Sequence, residues 1–301
     1  MIFKIIKKIQ IKLSWWSRVV LSYFGIKRKY FIGKYFLYID YIHRMPDYRQ
    51  DHKLYNKFLP HIIKYLEPNT VIVDIGSNVG DTLVEMINST TNFDFVCIEA
   101  NEKTYQYLEE NINVLNKQVS NLNIFKVNEF VGKDLNNISL IDYEGTSKVN
   151  LKKQGLKQSK NLKLILDNLN IKKNISLIKL DTDGHDFDAI NSFSDDFNSD
   201  PLIFFECFYE NDNQLNGYLE MFPRLTKKGY DNFSFFDNFG QYIMTTNNFK
   251  EIKELLFYIY NQFDKDSTRT FFYYDVLAYN KKKHTNIPKA INHYIKLLKN
   301  N

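Results

Sequence analysis

Apolar residues follow two alternating patterns between residues 71 and 260. Short runs rich in Val, Ile, Leu and Phe show no polar alternation, which predicts strands buried on both faces of a sheet. The segments between them place apolar residues three or four positions apart, which predicts amphipathic helices. This alternation predicts an α/β fold, a mostly parallel sheet with helices on both faces. The five buried strands are predicted at 71–74, 93–99, 123–127, 175–181 and 201–207.

Other segments predict additions at both ends of this core. Residues 230–245 and 271–279 predict a hairpin and a last strand that form an antiparallel edge. Residues 30–40 predict another hairpin, which turns at Gly33, and residues 51–66 predict a helix that Pro60 kinks or breaks. We therefore divide the chain into two parts. Residues 1–50 form an N-terminal extension of an amphipathic helix and a hairpin, and residues 51–301 form the α/β domain.

The first 24 residues predict an amphipathic basic helix. Its apolar stripe consists of Ile2, Ile5, Ile9, Leu13, Trp16, Val20 and Phe24. Lysines occupy much of the other face, and no acidic residue precedes Asp40. Such a helix binds an anionic membrane surface in some proteins and packs on its own domain or a second subunit in others, and both alternatives stay open. No apolar run reaches the roughly 18–20 residues that a membrane span needs.

The composition of the chain limits which kinds of partner and site the protein can have. The chain has 301 residues, of which 44% are hydrophobic and 25% charged, as in ordinary globular proteins. The net charge of +5 is mild, and no dense Lys/Arg stripe interleaves with aromatics, which argues against a nucleic-acid partner. The two cysteines, Cys97 and Cys207, lie in apolar strand-like runs and lack zinc-site spacing. Their number and placement predict a cytoplasmic protein without disulfides.

The stretch from Val71 to Asp81 carries the clearest sign of a ligand site. A buried strand is followed by Gly76, Gly80 and a helix at 82–87 that Asp81 can cap, which is typical of nucleotide sites. The spacing is G-x-x-x-G with Asp74 at the strand end, whereas dinucleotide sites have G-x-G-x-x-G. A carboxylate at this place repels phosphate but accepts hydrogen bonds from an amine or hydroxyls. This favours a ligand such as S-adenosylmethionine.

Acidic residues also end the other predicted strands. Glu99 lies about 20 residues after the glycine turn, where an acid can bind the two hydroxyls of a ribose. Because ligands bind at the carboxyl ends of parallel strands, the cluster from Lys179 to Asp188 is expected beside the same site. Its carboxylates and His185 are candidates for a general base, since an imidazole with a pKa near 6.5 suits proton abstraction at neutral pH. His185 or Asp186 alternatively caps the following helix.

The loop from Asp181 to Gly184 also has features of metal sites. The pattern Asp181-Thr182-Asp183-Gly184 resembles the start of a calcium loop, but position twelve is Ser192 and not the required Glu. A site for a hard ion such as Mg²⁺ on Asp181 and Asp183 stays open.

Three stretches resemble a known family. They are Val71 to Asp81 (VIVDIGSNVGD), Ile98 to Asn101 (IEAN) and Ile178 to Asp186 (IKLDTDGHD). Together they resemble the FkbM family of S-adenosylmethionine-dependent methyltransferases over about residues 50–210. The last stretch is the most specific, because I-K-x-D-x-[DE]-G at the fourth strand is not general to all methyltransferases. Tyr55 to Pro60 (YNKFLP) also resembles members among glycan-biosynthesis enzymes.

The resemblance implies a seven-stranded Rossmann-like sheet and methyl transfer, usually to a hydroxyl oxygen of a sugar or polyketide. It places the glycine turn against the methionine part of the cofactor, Glu99 with Asn101 at the ribose, and residues 128–131 near the adenine. The predicted cofactor-binding residues are Asp74, Gly76, Ser77, Asn78, Gly80, Asp81, Thr82, Glu99, Asn101, Glu129 and Phe130. The predicted catalytic residues are Lys179, Asp181, Asp183 and His185, and the predicted substrate-binding residues are Asp186 and Glu206.

These observations predict an O-methyltransferase that acts on a saccharide or another small-molecule acceptor. The saccharide is a surface glycan or its precursor. The aromatic segment from Phe233 to Tyr242 either stacks on the sugar or packs in the core. The alternatives are a nucleotide-sugar or NAD-binding Rossmann-type enzyme and a non-catalytic membrane-docking protein. The predicted location is the cytoplasm or the inner face of the membrane.

Overall fold

The computed structural model describes residues 15–133, 136, 138–143, 146–150, 157–193, 195, 200–262 and 271–299. The strands are β1 (Lys27–Ile32), β2 (Tyr35–Asp40), β3 (Val71–Ile75), β4 (Asp94–Ile98), β5 (Asn123–Val127), β6 (Phe130–Val131), β7 (Ser139–Tyr143), β8 (Thr146–Asn150), β9 (Ser159–Lys160), β10 (Ile175–Leu180), β11 (Leu202–Cys207), β12 (Asn232–Asp237), β13 (Tyr242–Thr246) and β14 (Tyr274–Tyr279).

The helices lie between these strands and at both ends of the chain. They are α1 (15–23), α2 (Met45–Asp51), α3 (Phe58–Ile62), α4 (Asp81–Ser89), α5 (Glu102–Gln118), α6 (Leu162–Asn168), α7 (Asp186–Phe193), α8 (Asp212–Lys227), α9 (Phe249–Tyr260) and α10 (Ile287–Lys299). A 3₁₀ turn, Ile63–Tyr65, follows α3. Among the described residues, no helix combines the length and apolar character needed to cross a bilayer.

Eight strands form the main sheet in the order β13-β12-β14-β11-β10-β3-β4-β5. The five strands from β11 to β5 pair in parallel, and β14, β12 and β13 pair antiparallel at one edge. The predicted mostly parallel α/β sheet with an antiparallel edge is confirmed. The sheet has one strand more than the resemblance implied, because the second strand of the predicted hairpin, β13, also pairs at the edge.

Apolar clusters cover both faces of this sheet. One cluster contains side chains from α6, α7, α8 and α9, and the other contains side chains from the β1–β2 hairpin, α3, α4, α5 and α10. Both faces of β3 are therefore buried, which explains why its sequence lacks polar alternation.

The predicted helix at 51–66 is wrong. The chain forms α2, then a non-helical segment at 52–57, and then the short helix α3. Asn56 has a φ of +55°, which a helix does not allow, and Pro60 lies in the first turn of α3, where a missing N–H costs nothing. The apolar spacing of this segment reflects packing of its separate parts.

The β1–β2 hairpin turns at Gly33, as predicted, and the side chain of Asn111 on α5 anchors it. Asn111 is fully buried. Its Oδ1 accepts a hydrogen bond from the Tyr38 N–H at 2.7 Å, and its Nδ2 donates to the carbonyls of Tyr38 at 2.9 Å and Val79 at 2.8 Å. One amide therefore ties the hairpin both to α5 and to the loop after β3.

We expect Asn111→Ala to lower the free energy of unfolding by about 2–4 kcal/mol, because two part-buried backbone groups of Tyr38 and the buried carbonyl of Val79 lose their partner. Urea unfolding followed by circular dichroism measures this loss. Gln118→Ala is the matched control, since Gln118 makes similar but longer bonds, 3.2 Å each, to the backbone of Phe36. A loss for Asn111→Ala no larger than that for Gln118→Ala would contradict this anchoring role.

Candidate functional site: two clefts at the carboxyl ends of β3 and β10

The strand order reverses between β3 and β10. The chain runs from β3 outward to β4 and β5, and then crosses to β10 on the other side of β3. Ligands of open α/β sheets bind at such a reversal, outside the carboxyl ends of the strands. Gly76 follows β3 here with a φ of +75°, and a Cβ on it would lie 1.9 Å from the carbonyl oxygen of Asp181 after β10. The glycine turn and the Lys179–Asp188 loop are therefore in direct backbone contact.

A buried ion-pair chain joins these two strands. Lys179 Nζ lies 3.0 Å from Asp74 Oδ1 and 3.5 Å from Asp181 Oδ2, and it donates a hydrogen bond to the Gly76 carbonyl at 3.1 Å. Asp74 and Lys179 are buried, whereas Asp181 is half exposed. Burial alone would lower the pKa of Lys179, but the carboxylates of Asp74 and Asp181 raise it well above its usual value. Lys179 is thus a permanent cation, and Asp74 Oδ2 has no hydrogen-bond partner among the described residues.

Glu99 lies at the end of β4 and holds the glycine turn from the other side. Its Oε2 accepts a hydrogen bond from the Asn78 N–H at 2.9 Å, and its Oε1 accepts one from the Asn101 N–H at 2.8 Å. Burial raises the pKa of Glu99 to about 7, although these two bonds oppose the shift. Each oxygen retains a lone pair that can accept a hydrogen bond from a hydroxyl group.

The remaining predicted residues of the glycine turn support its shape. The Ser77 hydroxyl donates to the backbone carbonyl of Asp74 at 2.7 Å. Gly80, with a φ of +90°, is the N-cap of α4, and Asp81 is the first residue of the helix. The prediction that Asp81 caps this helix is therefore wrong. The Asp81 carboxylate instead accepts a hydrogen bond from Asn56 Nδ2 at 3.3 Å, and Thr82 is buried. Asn101 caps α5 by accepting from the Thr104 N–H.

A first cleft of about 640 Å³, measured out to the solvent, opens beside Gly76 and Glu99. Apolar and acidic side chains share its walls, and none of the described lining residues is a lysine or arginine. The described lining residues are Ile75, Gly76, Asn78, Ile98, Glu99, Ala100, Thr104, Glu129, Phe130, Val131, Leu140, Asp181, Thr182 and Asp183. Glu129 is paired with Lys160 at 2.5 Å, and Asp181 with Lys179 at 3.5 Å.

A second cleft of about 600 Å³ lies on the other side of Asp181. Five aromatic rings line it, from Tyr55, Phe58, Phe204, Phe236 and Tyr273. Its polar lining residues are Asn56, Lys57, Lys179, Asp181, Glu206, Asn238 and Asp275. Burial, followed by repulsion from Asp181, raises the pKa values of both Glu206 and Asp275 well above the usual range. A proton shared among these carboxyl groups can therefore donate a hydrogen bond to a neutral polar ligand.

Asp181 and Asp183 differ in their access to the two clefts. Asp181 lines both clefts, whereas Asp183 lines only the first. A carboxylate that faces both clefts is placed to exchange a proton between two ligands that meet there.

His185 and Asp186 lie outside both described linings. The His185 ring packs between Phe130 and Phe187, at centroid distances of 6.2 and 6.5 Å, and burial lowers its pKa. Asp186 is fully buried, accepts hydrogen bonds from the N–H groups of Thr182 and Glu206 at 2.8 Å each, and burial raises its pKa to about 7. Asp186 therefore holds the loop after β10 to β11, and its role in substrate binding stays a prediction.

Two further predictions concern a metal ion and the aromatic segment, and the metal site on Asp181 and Asp183 stays a prediction. Among the described residues, no group of three or more His, Cys, Asp or Glu side chains is placed to hold a metal ion, and Lys179 occupies the position beside Asp181. Phe233 and Phe235 are buried in the core, and only Phe236 of the predicted aromatic wall reaches the second cleft.

Several residues of the second cleft were not singled out by sequence analysis. Asp275 lies in β14, and Tyr273 directly precedes this strand. Their only sequence signal is weak: Asp275 is an acid inside an otherwise apolar strand.

Comparisons with known proteins were made for the whole chain. A scan against models of protein families finds no match, and neither does a search of curated proteins. Among solved structures, an O-methyltransferase from Bacillus cereus in complex with SAH is 12% identical with a TM-score of 0.42, over 74% of this chain and 80% of that one. M. jannaschii TYW2 in complex with AdoMet is 13% identical with a TM-score of 0.41, over 84% of each chain.

The methyltransferase FkbM from Methylobacillus flagellatus is also similar in structure. It is 12% identical with a TM-score of 0.35, over 70% of this chain and 44% of that one. These values are too low to assign this chain to a family, and the FkbM assignment stays a prediction.

Proposed function

We propose that this protein is an S-adenosylmethionine-dependent O-methyltransferase. The observation that carries the proposal is the charge of the first cleft, whose described lining has carboxylates but no lysine or arginine. Such a lining attracts a ligand with a sulfonium and an ammonium group and repels a pyrophosphate. This argument favours S-adenosylmethionine over NAD or a nucleotide sugar.

The residues present fit this cofactor in chemistry. Glu99 offers two carboxylate oxygens to the ribose hydroxyls, and Phe130, Val131 and Leu140 offer an apolar wall to the adenine. The buried Asp74 carboxylate, with one oxygen lacking a partner, adds negative potential beneath the methionine part. Gly76 and Asn78 complete this part of the cleft.

Asp181 is the proposed general base. When bound, S-adenosylmethionine supplies a methyl group that its sulfonium activates. An acceptor hydroxyl in the second cleft would lie beside the Asp181 carboxylate, which takes the proton as the oxygen reacts. Lys179 holds that carboxylate in place through the 3.5 Å ion pair.

The acceptor is proposed to be a saccharide. Aromatic faces next to carboxyl groups suit a sugar ring, since the apolar face of the ring stacks and its hydroxyls form hydrogen bonds. Tyr55 and Tyr273 supply rings, and Glu206 and Asp275 supply the polar partners. The surface glycan or precursor named above remains the proposed source of this sugar.

Calorimetry and a transfer assay test the proposal separately. Titration with S-adenosylmethionine, S-adenosylhomocysteine, NAD and UDP-glucose should show binding of the first two only. Binding of NAD or UDP-glucose without S-adenosylmethionine would overturn the methyltransferase. Tritiated methyl transfer to neutral oligosaccharides, compared with simple phenols, tests the acceptor; transfer to phenols alone would overturn the saccharide and leave the methyltransferase standing.

We expect cofactor affinity to fall as the pH drops below about 7, by up to about tenfold per pH unit. The pKa of Glu99 is raised to about 7, so its carboxyl group is protonated below that pH. That proton must leave before both oxygens can accept hydrogen bonds from the ribose hydroxyls. Dissociation constants measured by calorimetry between pH 8.5 and 5.5 give the slope. Glu99→Gln should bind about 10–100-fold more weakly and lose this pH dependence. A wild-type dissociation constant that is flat across the range would rule out Glu99 as the ribose ligand.

A further inference from the structure

Helix α1 exposes an apolar face to the solvent. Trp16, Val20 and Tyr23 stand at positions i, i+4 and i+7, so they share one face of the helix. Their exposed fractions are 61%, 49% and 85%. Phe24, in the turn that follows, is 70% exposed. Isolated exposed apolar residues are normal, but a contiguous aromatic face marks an interaction site.

The other face of α1 is the one that contacts the rest of the molecule. Arg18 forms an ion pair with Asp47 on α2 at 3.0 Å, and Leu21 and Ser22 are half-buried. The predicted apolar stripe of residues 2–24 therefore points away from the domain at its described members Trp16, Val20 and Phe24. Since Arg18, Leu21 and Ser22 make the contacts of α1 with the described part of the domain, the three described members of the stripe are available to a membrane or a second subunit.

Strand β1, which follows α1 after a short turn, also exposes an aromatic ring and basic side chains. Its exposed positions alternate as Lys27, Lys29 and Phe31, and Phe31 is 60% exposed. The Lys29 Nζ lies 5.0 Å from the centroid of the Phe31 ring. A lysine beside an exposed aromatic ring is typical of protein surfaces at the lipid headgroup level.

The first 39 residues carry only positive charge in the sequence, and in the fold Arg18 and Lys27 of this segment pair with Asp47 and Glu110. Residues 1–39 contain Lys4, Lys7, Lys8, Lys12, Arg18, Lys27, Arg28, Lys29 and Lys34, and no Asp or Glu. Among the described residues, Arg28, Lys29 and Lys34 have no carboxylate within ion-pair distance. A second copy docked face to face would bring two such cationic segments together, which is unfavourable. An anionic surface is the complementary partner.

We propose that Trp16, Val20, Tyr23, Phe24 and Phe31 form a docking surface for an anionic lipid bilayer. The aromatic side chains enter the headgroup region, and the surrounding lysines and arginines bind the lipid charge. This inference stands independently of the proposed methyl transfer, because none of its residues lines either cleft.

The two tryptophans make this surface directly observable. The chain has only Trp15 and Trp16, so its tryptophan fluorescence reports on α1 alone. Vesicles of phosphatidylcholine with phosphatidylglycerol should shift the emission of the full-length protein to shorter wavelength and carry it along in sedimentation. Vesicles of phosphatidylcholine alone should bind at least about tenfold more weakly, and added salt should release the protein.

Charged substitutions on the exposed face of α1 provide a second test of vesicle binding. Val20→Asp with Tyr23→Asp should weaken vesicle binding by about tenfold or more, because both side chains then resist entry into the headgroup region. Tyr258→Asp on α9 is the matched control, since Tyr258 is 59% exposed and lies in a different part of the chain. It should bind like the wild type.

Three results of the vesicle experiments would overturn the proposal. They are no binding of the wild type to either vesicle, equal binding to neutral and anionic vesicles, and equal loss in the Tyr258→Asp control. A concentration-dependent dimer in light scattering that the Val20→Asp/Tyr23→Asp variant lacks would overturn it as well, in favour of a second copy of the chain.

Discussion

Asp181→Asn should lower kcat by about 10²–10⁴-fold, the usual contribution of a general base, while the cofactor still binds. Asparagine keeps the shape of Asp181 but cannot take the proton of the acceptor hydroxyl. Of the four predicted catalytic residues, only Asp181 lines both clefts, and Lys179 is the other one that lines the second. Transfer of tritiated methyl to an accepted saccharide measures kcat, and calorimetry measures binding separately.

Two variants of the same loop serve as controls for this prediction. Asp183→Asn removes a carboxylate that lines only the first cleft, and His185→Gln removes a ring that lies outside both. Both should change kcat much less than Asp181→Asn. A loss of kcat with His185→Gln and none with Asp181→Asn would assign the base to the imidazole, and the geometric argument for Asp181 would be wrong.

Lys179→Met should lower the free energy of unfolding by about 3–5 kcal/mol, because it leaves the Asp74 carboxylate buried without a counter-charge. Asp74 and Lys179 are 1% and 4% exposed, so water cannot replace the lost partner. Urea unfolding measures the change. Lys163→Met, which breaks an exposed ion pair with Asp167, should cost less than about 1 kcal/mol.

The double variant Asp74→Asn/Lys179→Met separates charge pairing from packing. Removing both charges should restore most of the stability that Lys179→Met loses, because no unpaired ion remains buried. Cofactor binding should be weaker than in the wild type, since the negative potential of Asp74 is gone. If the double variant is less stable than Lys179→Met, the loss comes from packing and not from an unpaired charge.

The local sequence was sufficient to predict the strands of the central sheet. The runs that became β3, β4, β10 and β11 are apolar because both faces of these strands are buried, and each run shows this burial in its own sequence. The glycine turn was also predictable from the sequence, because the backbone φ values of +75° at Gly76 and +90° at Gly80 favour glycine over other residues. The neighbourhood of Asp74, Glu99 and Asp181 followed from the rule that parallel strands present their carboxyl ends at one edge.

The second cleft could not be read in the same way. Its walls combine residues 54–59, β11, the turn after β12 and β14, which are joined only by folding. Gly240 shows this dependence, because a Cβ there would lie 2.7 Å from the carbonyl oxygen of Leu54, far away in sequence. No periodicity within one segment encodes a contact of that kind.

The sequence by itself determined the type of sheet, the glycine turn and the acids that follow the strands, because strand burial and backbone conformation are local properties. Only the tertiary structure decided what each polar side chain faces. It placed His185 between two phenylalanines, set Asp186 in the interior and brought Asp181 between two clefts. It also turned the apolar face of α1 outward. These outcomes depend on packing between distant segments, which spacing along the chain does not record.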